Sequence, residues 1–154
     1  MNPIQVRLMT EADEAFVYRL FSLVCDEQQG LAYLPESQRE PLVQMQYRAR
    51  AQSYKAAYPE AMYQIIEFEG QPAGYHVVAE QDEQIVLVDV AVLPEFRRRG
   101  ICTHMLQMYR TKAQQEGKVC VLHVFKMNPA QHLYARLGFE IVQDCGMEWT
   151  MKGG

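Results

Sequence analysis

The sequence predicts a mixed α/β domain of the α+β type: a mostly antiparallel, twisted sheet flanked by helices. Three observations predict it. Between Met62 and Leu93 three strand-like runs follow one another through links of only a few polar or turn residues, too short for crossovers, which implies an antiparallel meander. Directly afterwards comes a helical stretch and then another apolar run, the order that builds a parallel pair with a crossover. Finally, 154 residues that are 49% hydrophobic and 22% charged can bury one substantial core, so residues 1–154 read as a single domain.

Taken in order, "IQVRLM" (Ile4 to Met9) is a short strand. Thr10, with Asp13 three residues on, resembles an N-cap with an acidic first turn for a helix reaching about Cys25. The stretch "EQQGLAYLPESQREP" reads as a loop. From Pro41 to Tyr58 the pattern is helical, with Leu42, Met45, Ala49, Gln52 and Ala56 on one side, and Pro59 ends it. The three meander strands are Met62 to Glu69, Ala73 to Glu80 and Ile85 to Leu93. Arg99 to Glu116 is helical and capped by Gly117, and "VCVLHVF" (Val119 to Phe125) suits a buried strand. A short helix in "PAQHLYARLGF", entered through Pro129 and closed by Gly138, precedes two short strands in "EIVQDCGMEWTMK".

Charge and cysteine usage narrow the function classes. A net charge of −4 argues against a protein that coats nucleic acid or an anionic membrane, so any bound anion needs a local basic cluster. No run approaches the roughly 18 apolar residues of a membrane span, and the acidic N-terminal stretch is unlike a secretory signal. Cys25, Cys102, Cys120 and Cys145 are scattered without a CxxC pair, which fits reduced thiols and a cytoplasmic location. The four histidines (His76, His104, His123 and His132) show no metal-ligand spacing and read as packed or surface residues, so no metal is expected.

One basic cluster exists. In "VLVDVAVLPEFRRRGICTHMLQMY" an apolar strand breaks at a proline, passes Arg97, Arg98, Arg99 and Gly100, and turns helical. A helix start leaves unpaired backbone N–H groups at the positive end of the helix dipole. A loop delivering arginines and a glycine there makes a site for an anion, above all a pyrophosphate.

This segment resembles the acyl-CoA-binding motif of the GNAT superfamily of acetyl-CoA-dependent N-acetyltransferases, Q/R-x-x-G-x-G/A, with Arg97, Gly100 and Cys102 at the three defined positions. A second block, "LHVFKMNPAQHLYARLGFEIV", is similar to the family's C-terminal signature, and together the two span Ile85 to Val142. Cys102 stands where the family prefers Gly or Ala, and Arg98 where Gly is frequent.

The resemblance implies a GNAT-like fold and transfer of an acetyl group from acetyl-CoA, as cosubstrate, to a primary amine of a small molecule or protein. A non-catalytic acyl-CoA-binding module is the alternative, and a homodimer is left open. In the implied site the backbone of Val90, Ala91 and Val92 pairs with the pantetheine arm. The amides of Arg98, Arg99, Gly100, Ile101, Cys102 and Thr103 hold the pyrophosphate, with Arg97 at the motif's first position. Asn128 bonds the pantetheine or its neighbouring backbone, and Tyr134 is the general acid for the departing thiolate. Family members commonly carry the base at positions matching Val86 or Val88, both valine here. Asp89 is the only acid on that strand; by simple alternation it shares a face with Leu87 and Ala91, opposite Val86, Val88 and Val90. A charge in such an apolar run asks for a partner, either the substrate amine or a structural arginine.

Overall fold

The computed structural model describes residues 2–153. Seven strands form one sheet in the order β1-β2-β3-β4-β5-β7-β6, where β1 is Ile4–Leu8, β2 Met62–Phe68, β3 Gln71–Glu80, β4 Gln84–Val92, β5 Val119–Phe125, β6 Glu140–Asp144 and β7 Glu148–Gly153. Every neighbouring pair is antiparallel except β4 with β5, as the meander and the crossover helix require. The helices are α1 (Glu14–Gln29), α2 (Glu36–Ala57), α3 (Ile101–Gln115) and α4 (Ala130–Arg136).

Two layers of helix cover the sheet. On one face Ile65, Tyr75 and Ala91 pack against Val17 and Leu20 of α1. On the other, Ile66, Val78, Ile85, Leu122 and Met151 pack against Ile101, Met105, Leu106 and Tyr109 of α3, with Tyr134 and Phe139 beside them. A smaller cluster of Cys25, Leu31 and Val43 joins α1 to α2. Gly74 lets β3 lie tight on β4: a Cβ there would sit 2.3 Å from the Ala91 carbonyl oxygen.

The N-terminal half departs from expectation in two places. Thr10 and Asp13 do form a capping box, yet they open a 3₁₀ turn (Glu11–Asp13), and α1 then runs on to Gln29 before Gly30 stops it in the left-handed conformation at φ 65°. The expected loop is mostly helix, because α2 starts at Glu36 and keeps Pro41 inside it. Arg39 holds those first turns down: it donates to both carboxylate oxygens of Asp26 at 2.8 Å and also to the Ser22 hydroxyl on α1. The side of α2 read from the sequence holds only in part: Leu42 packs beside Val43, but Met45, Ala49, Gln52 and Ala56 are exposed, and Tyr47, Arg50 and Tyr54 face the protein instead. Among the described residues no helix is long and apolar enough to cross a membrane.

Candidate acyl-CoA and acceptor cleft

A cleft of about 830 Å³ opens where β4 and β5 part. They pair only from Gln84–Val119 to Leu87–Leu122, while β5 continues along β7 as far as Phe125–Glu148 and β4 continues along β3 as far as Val92–Gly74. From Val88 onward one backbone edge of β4 is therefore open. The cause lies partly in β4 itself. Asp89 pairs with Val77 and Leu87 with Val78, so Val88 is an extra residue in the ladder, a bulge that sharpens the local twist. The bulge also corrects the predicted alternation. Val86, Asp89 and Ala91 lie on the α1/α2 face, and Ile85, Leu87, Val90 and Val92 on the α3 face.

The three arginines at the mouth of α3 do three different things. Arg97 is spent on the scaffold: its Nε donates to the Val92 carbonyl at 2.9 Å, and its two terminal nitrogens donate to the Glu27 carboxylate at 2.6 and 2.7 Å. Arg98 takes a left-handed φ of 63°, at the position where the family resemblance makes glycine frequent. Arg99 lies over the rings of Phe68 and Phe96. Gly100 follows at φ 77° and the helix begins at Ile101. Among the described residues the amides of Arg98 through Thr103 donate no hydrogen bond, the first intact one being His104 N–H to the Gly100 carbonyl at 2.9 Å. Six consecutive donors at a helix start form a ready cradle for phosphate oxygens. Cys102 lines the cleft just inside, and burial pushes its thiol up.

Asn128 and Tyr134 come to the same cleft from the far side of β5. The Asn128 Oδ1 accepts from the Ala130 amide at 2.9 Å, fixing the entry into α4, and its NH₂ has no partner among the described residues. Tyr134 is 7% exposed; burial pushes its phenol up, with Cys102 and Asp89 adding to the effect, so it keeps its proton at neutral pH.

Asp89 found an arginine. Its Oδ2 accepts from Arg50 Nε at 3.1 Å, from the Tyr54 hydroxyl at 3.2 Å and from the Tyr75 hydroxyl at 3.5 Å, while Oδ1 has no partner among the described residues. The Arg50 guanidinium is ringed by Phe21, Tyr47, Tyr54 and Tyr75, at 5.0 to 5.6 Å from the ring centres. Sequence reading missed Arg50, Tyr54 and Tyr75. The available signal was Tyr47, Arg50 and Tyr54 at helical spacing, a polar and aromatic stripe where the apolar one was sought. Behind β3, His76 is buried with Nε2 2.7 Å from Gln64 Oε1 and 3.0 Å from the Tyr109 hydroxyl; burial lowers its pKa to about 4. Among the described residues no three His, Cys, Asp or Glu side chains gather as a metal site would.

A sheet splayed at its one parallel pair, with a row of free amides on the adjoining helix start, belongs to the class of acyl-CoA N-acyltransferase folds. The family model for the acetyltransferase (GNAT) family matches residues 21–139, more than half of the sequence, and the chain belongs to that family. Solved structures agree in fold. The PaiA N-acetyltransferase from Thermoplasma acidophilum, in complex with coenzyme A, superposes with a TM-score of 0.72 over 97% of this chain and 98% of that one, at 14% identity. An acetyltransferase from Thermus thermophilus gives 0.67 over 99% and 97%, at 21% identity. A GNAT family acetyltransferase from Elizabethkingia anophelis with acetyl-CoA bound gives 0.62 over 99% of both chains, at 15% identity. A comparison with curated proteins finds no match.

Proposed function

We propose that this chain transfers an acetyl group from acetyl-CoA to a primary amine of a small molecule or protein, by direct attack within the cleft. The observation that carries the proposal is the run of six unpaired amides from Arg98 to Thr103 beside the open edge of β4. When bound, acetyl-CoA supplies an activated thioester carbonyl. The six amides hold the pyrophosphate, where a neutral backbone cradle works with the positive helix end. The open edge at Val90, Ala91 and Val92 pairs with the pantetheine amides as an added strand would, and one of its N–H groups polarises the carbonyl. The Asn128 NH₂ donates to the same arm. Tyr134 gives its proton to the departing sulfur. Asp89, its Oδ2 committed to Arg50, offers Oδ1 to the incoming ammonium.

The second reading, a non-catalytic acyl-CoA-binding module, is favoured by Val86 and Val88, which stand where the resemblance places a base. One pair of measurements separates the two: calorimetry with acetyl-CoA, and thiol release across a library of primary amines. Transfer supports micromolar acetyl-CoA binding together with amine-dependent thiol release; the module supports binding alone. No binding at millimolar acetyl-CoA sinks both.

A further inference from the structure

We propose that His123 is the general base for this transfer, acting through Nε2, and that Thr150 is the positioning residue that holds its ring. The inference rests on the acetyl-transfer reading and adds to it a proton acceptor on β5.

The sheet brings His123 to the right place. On β5, Leu122 and Val124 pack into the α3 side of the core, so His123 and Phe125 face the opposite side, the side of Asp89 and α2. His123 is the first β5 residue beyond the last β4–β5 pair, Leu87–Leu122, and it is exposed on the cleft wall. Tyr134 belongs to the α3-side cluster. Acid and base thus approach the splay from opposite faces of the sheet, which suits an amine arriving from the α2 side and a sulfur leaving toward α4.

The ring is also held. His123 Nδ1 lies 3.0 Å from the Oγ1 of Thr150, its direct partner across the β5–β7 ladder, and Thr150 is 6% exposed. The same Oγ1 lies 3.2 Å from Cys145 Sγ. The tautomer this role requires is the one in which Nδ1–H donates to Thr150 and the Thr150 hydroxyl to the Cys145 sulfur, leaving the lone pair on Nε2; a base oriented by a second group is the arrangement proton transfer calls for. Of the other candidates, His76 is engaged, Asp89 keeps only Oδ1 free and that oxygen is assigned to the ammonium, and Glu148 on the cleft wall is told apart by Glu148→Gln. His76 is 2% exposed, with its Nε2 shared between Gln64 and Tyr109. Asp89 Oδ2 accepts from Arg50, Tyr54 and Tyr75. The charged and titratable groups facing His123 are Glu148 and Lys152, which flank Thr150 on β7, Cys145 behind Thr150, Asp89 on β4, and Tyr54 from α2, with Tyr58 beside Glu148.

The step balances. His123 Nε2 takes one proton from the arriving ammonium and passes it to solvent, and the neutral nitrogen then forms the C–N bond and becomes positive. The C–S bond breaks with its electron pair on sulfur, which takes the Tyr134 hydroxyl proton, and the extra proton on the new amide nitrogen restores Tyr134 through solvent.

The test is the pH profile of kcat/KM for the best amine found, measured for the parent, His123→Gln, Thr150→Val, Thr150→Ser and Glu148→Gln, with acetyl-CoA affinity by calorimetry alongside. We expect His123→Gln to lose at least about a hundredfold in kcat/KM at pH 7 with acetyl-CoA affinity within a few-fold of the parent. The deficit should shrink as pH rises, because more of the amine is then already neutral. Thr150→Val should lose about tenfold, an order-of-magnitude figure for a displaced base, and Thr150→Ser should recover it. If His123→Gln keeps the parental rate and profile, or if Glu148→Gln removes the acidic limb in its place, His123 is not the base although acetyl transfer stands. A parent that binds acetyl-CoA and acetylates no amine overturns the transfer reading and this inference with it.

Discussion

Beside the cleft, in the loop from β4 to α3, the unpaired groups are backbone amides, and the nearby side chains are turned to other uses: Arg97 grips Glu27 and Arg99 lies on Phe68 and Phe96. On the wall built by α2, the groups are side chains, Arg50 and Tyr54 from the helix meeting Asp89 and Tyr75 from the sheet. A backbone site needs little from its side chains beyond a residue that accepts a left-handed turn, and even Arg98 accepts one here. A side-chain site needs particular partners to arrive from distant parts of the chain. Substitutions should therefore act differently on the two walls.

The largest effect is expected at Arg50. Its side chain is 9% exposed and Asp89's 25%, so Arg50→Met leaves a half-buried carboxylate without its counter-charge. Breaking a buried pair costs about 3–5 kcal/mol, and the partial exposure of Asp89 puts this one near about 3 kcal/mol. Urea unfolding measures it. A loss under about 1 kcal/mol would mean the α2 wall is held by ring packing alone.

Next comes Tyr134→Phe, which keeps the ring in the core and removes the proton donor. We expect kcat to fall about a hundredfold with acetyl-CoA affinity within a few-fold of the parent. A variant as fast as the parent would make Tyr134 a packing residue.

The His76 cluster predicts a smaller, pH-gated change. Its folded pKa of about 4 lies below the ordinary 6.5, so as pH falls through 6.5 the unfolded chain binds a proton that the folded chain does not. Stability should therefore be flat with respect to this group above 6.5 and fall by on the order of 3 kcal/mol on the way down to about pH 4. In His76→Gln that part of the slope should disappear, whatever the variant's absolute stability. An unchanged slope in that window would take His76 out of the acid sensitivity; Asp13, whose carboxyl Arg7 holds well below its usual range, can lose stability only below about pH 4.

What the sequence disclosed follows the same division. The meander, the crossover and the loop before α3 depend on local signals (strand runs, short links, a glycine at a helix start), and all of them could be read from consecutive residues. The buried face of α2 could not, because Arg50 counts as polar until its cage is known, and that cage comes from α1, α2 and β3. Nor could the faces of β4, because the bulge at Val88 appears only when β3 is laid beside it. The pairing of His123 with Thr150 spans 27 residues and exists only across β5 and β7.

The smallest predicted effect is the sharpest test of the comparison. Arg97 stands at the first defined position of the motif, among the residues the family resemblance assigns to cofactor binding. In the structure its guanidinium is shared between the Val92 carbonyl and Glu27, in a pair whose side chains are 38% and 46% exposed. Such a pair contributes about 0–1 kcal/mol. If the cradle is made of amides, Arg97→Ala and Glu27→Gln should each shift stability by no more than about 1 kcal/mol, and the two should weaken acetyl-CoA binding equally and only by a few-fold. Gly100→Asp should do far more to binding: the site has open space for the side chain, but it sets a carboxylate among the donors at a φ of 77°. If Arg97→Ala instead costs tenfold or more in affinity while Glu27→Gln costs nothing, the guanidinium leaves Glu27 for the phosphates when the ligand arrives. This wall would then work through a side chain as the other does.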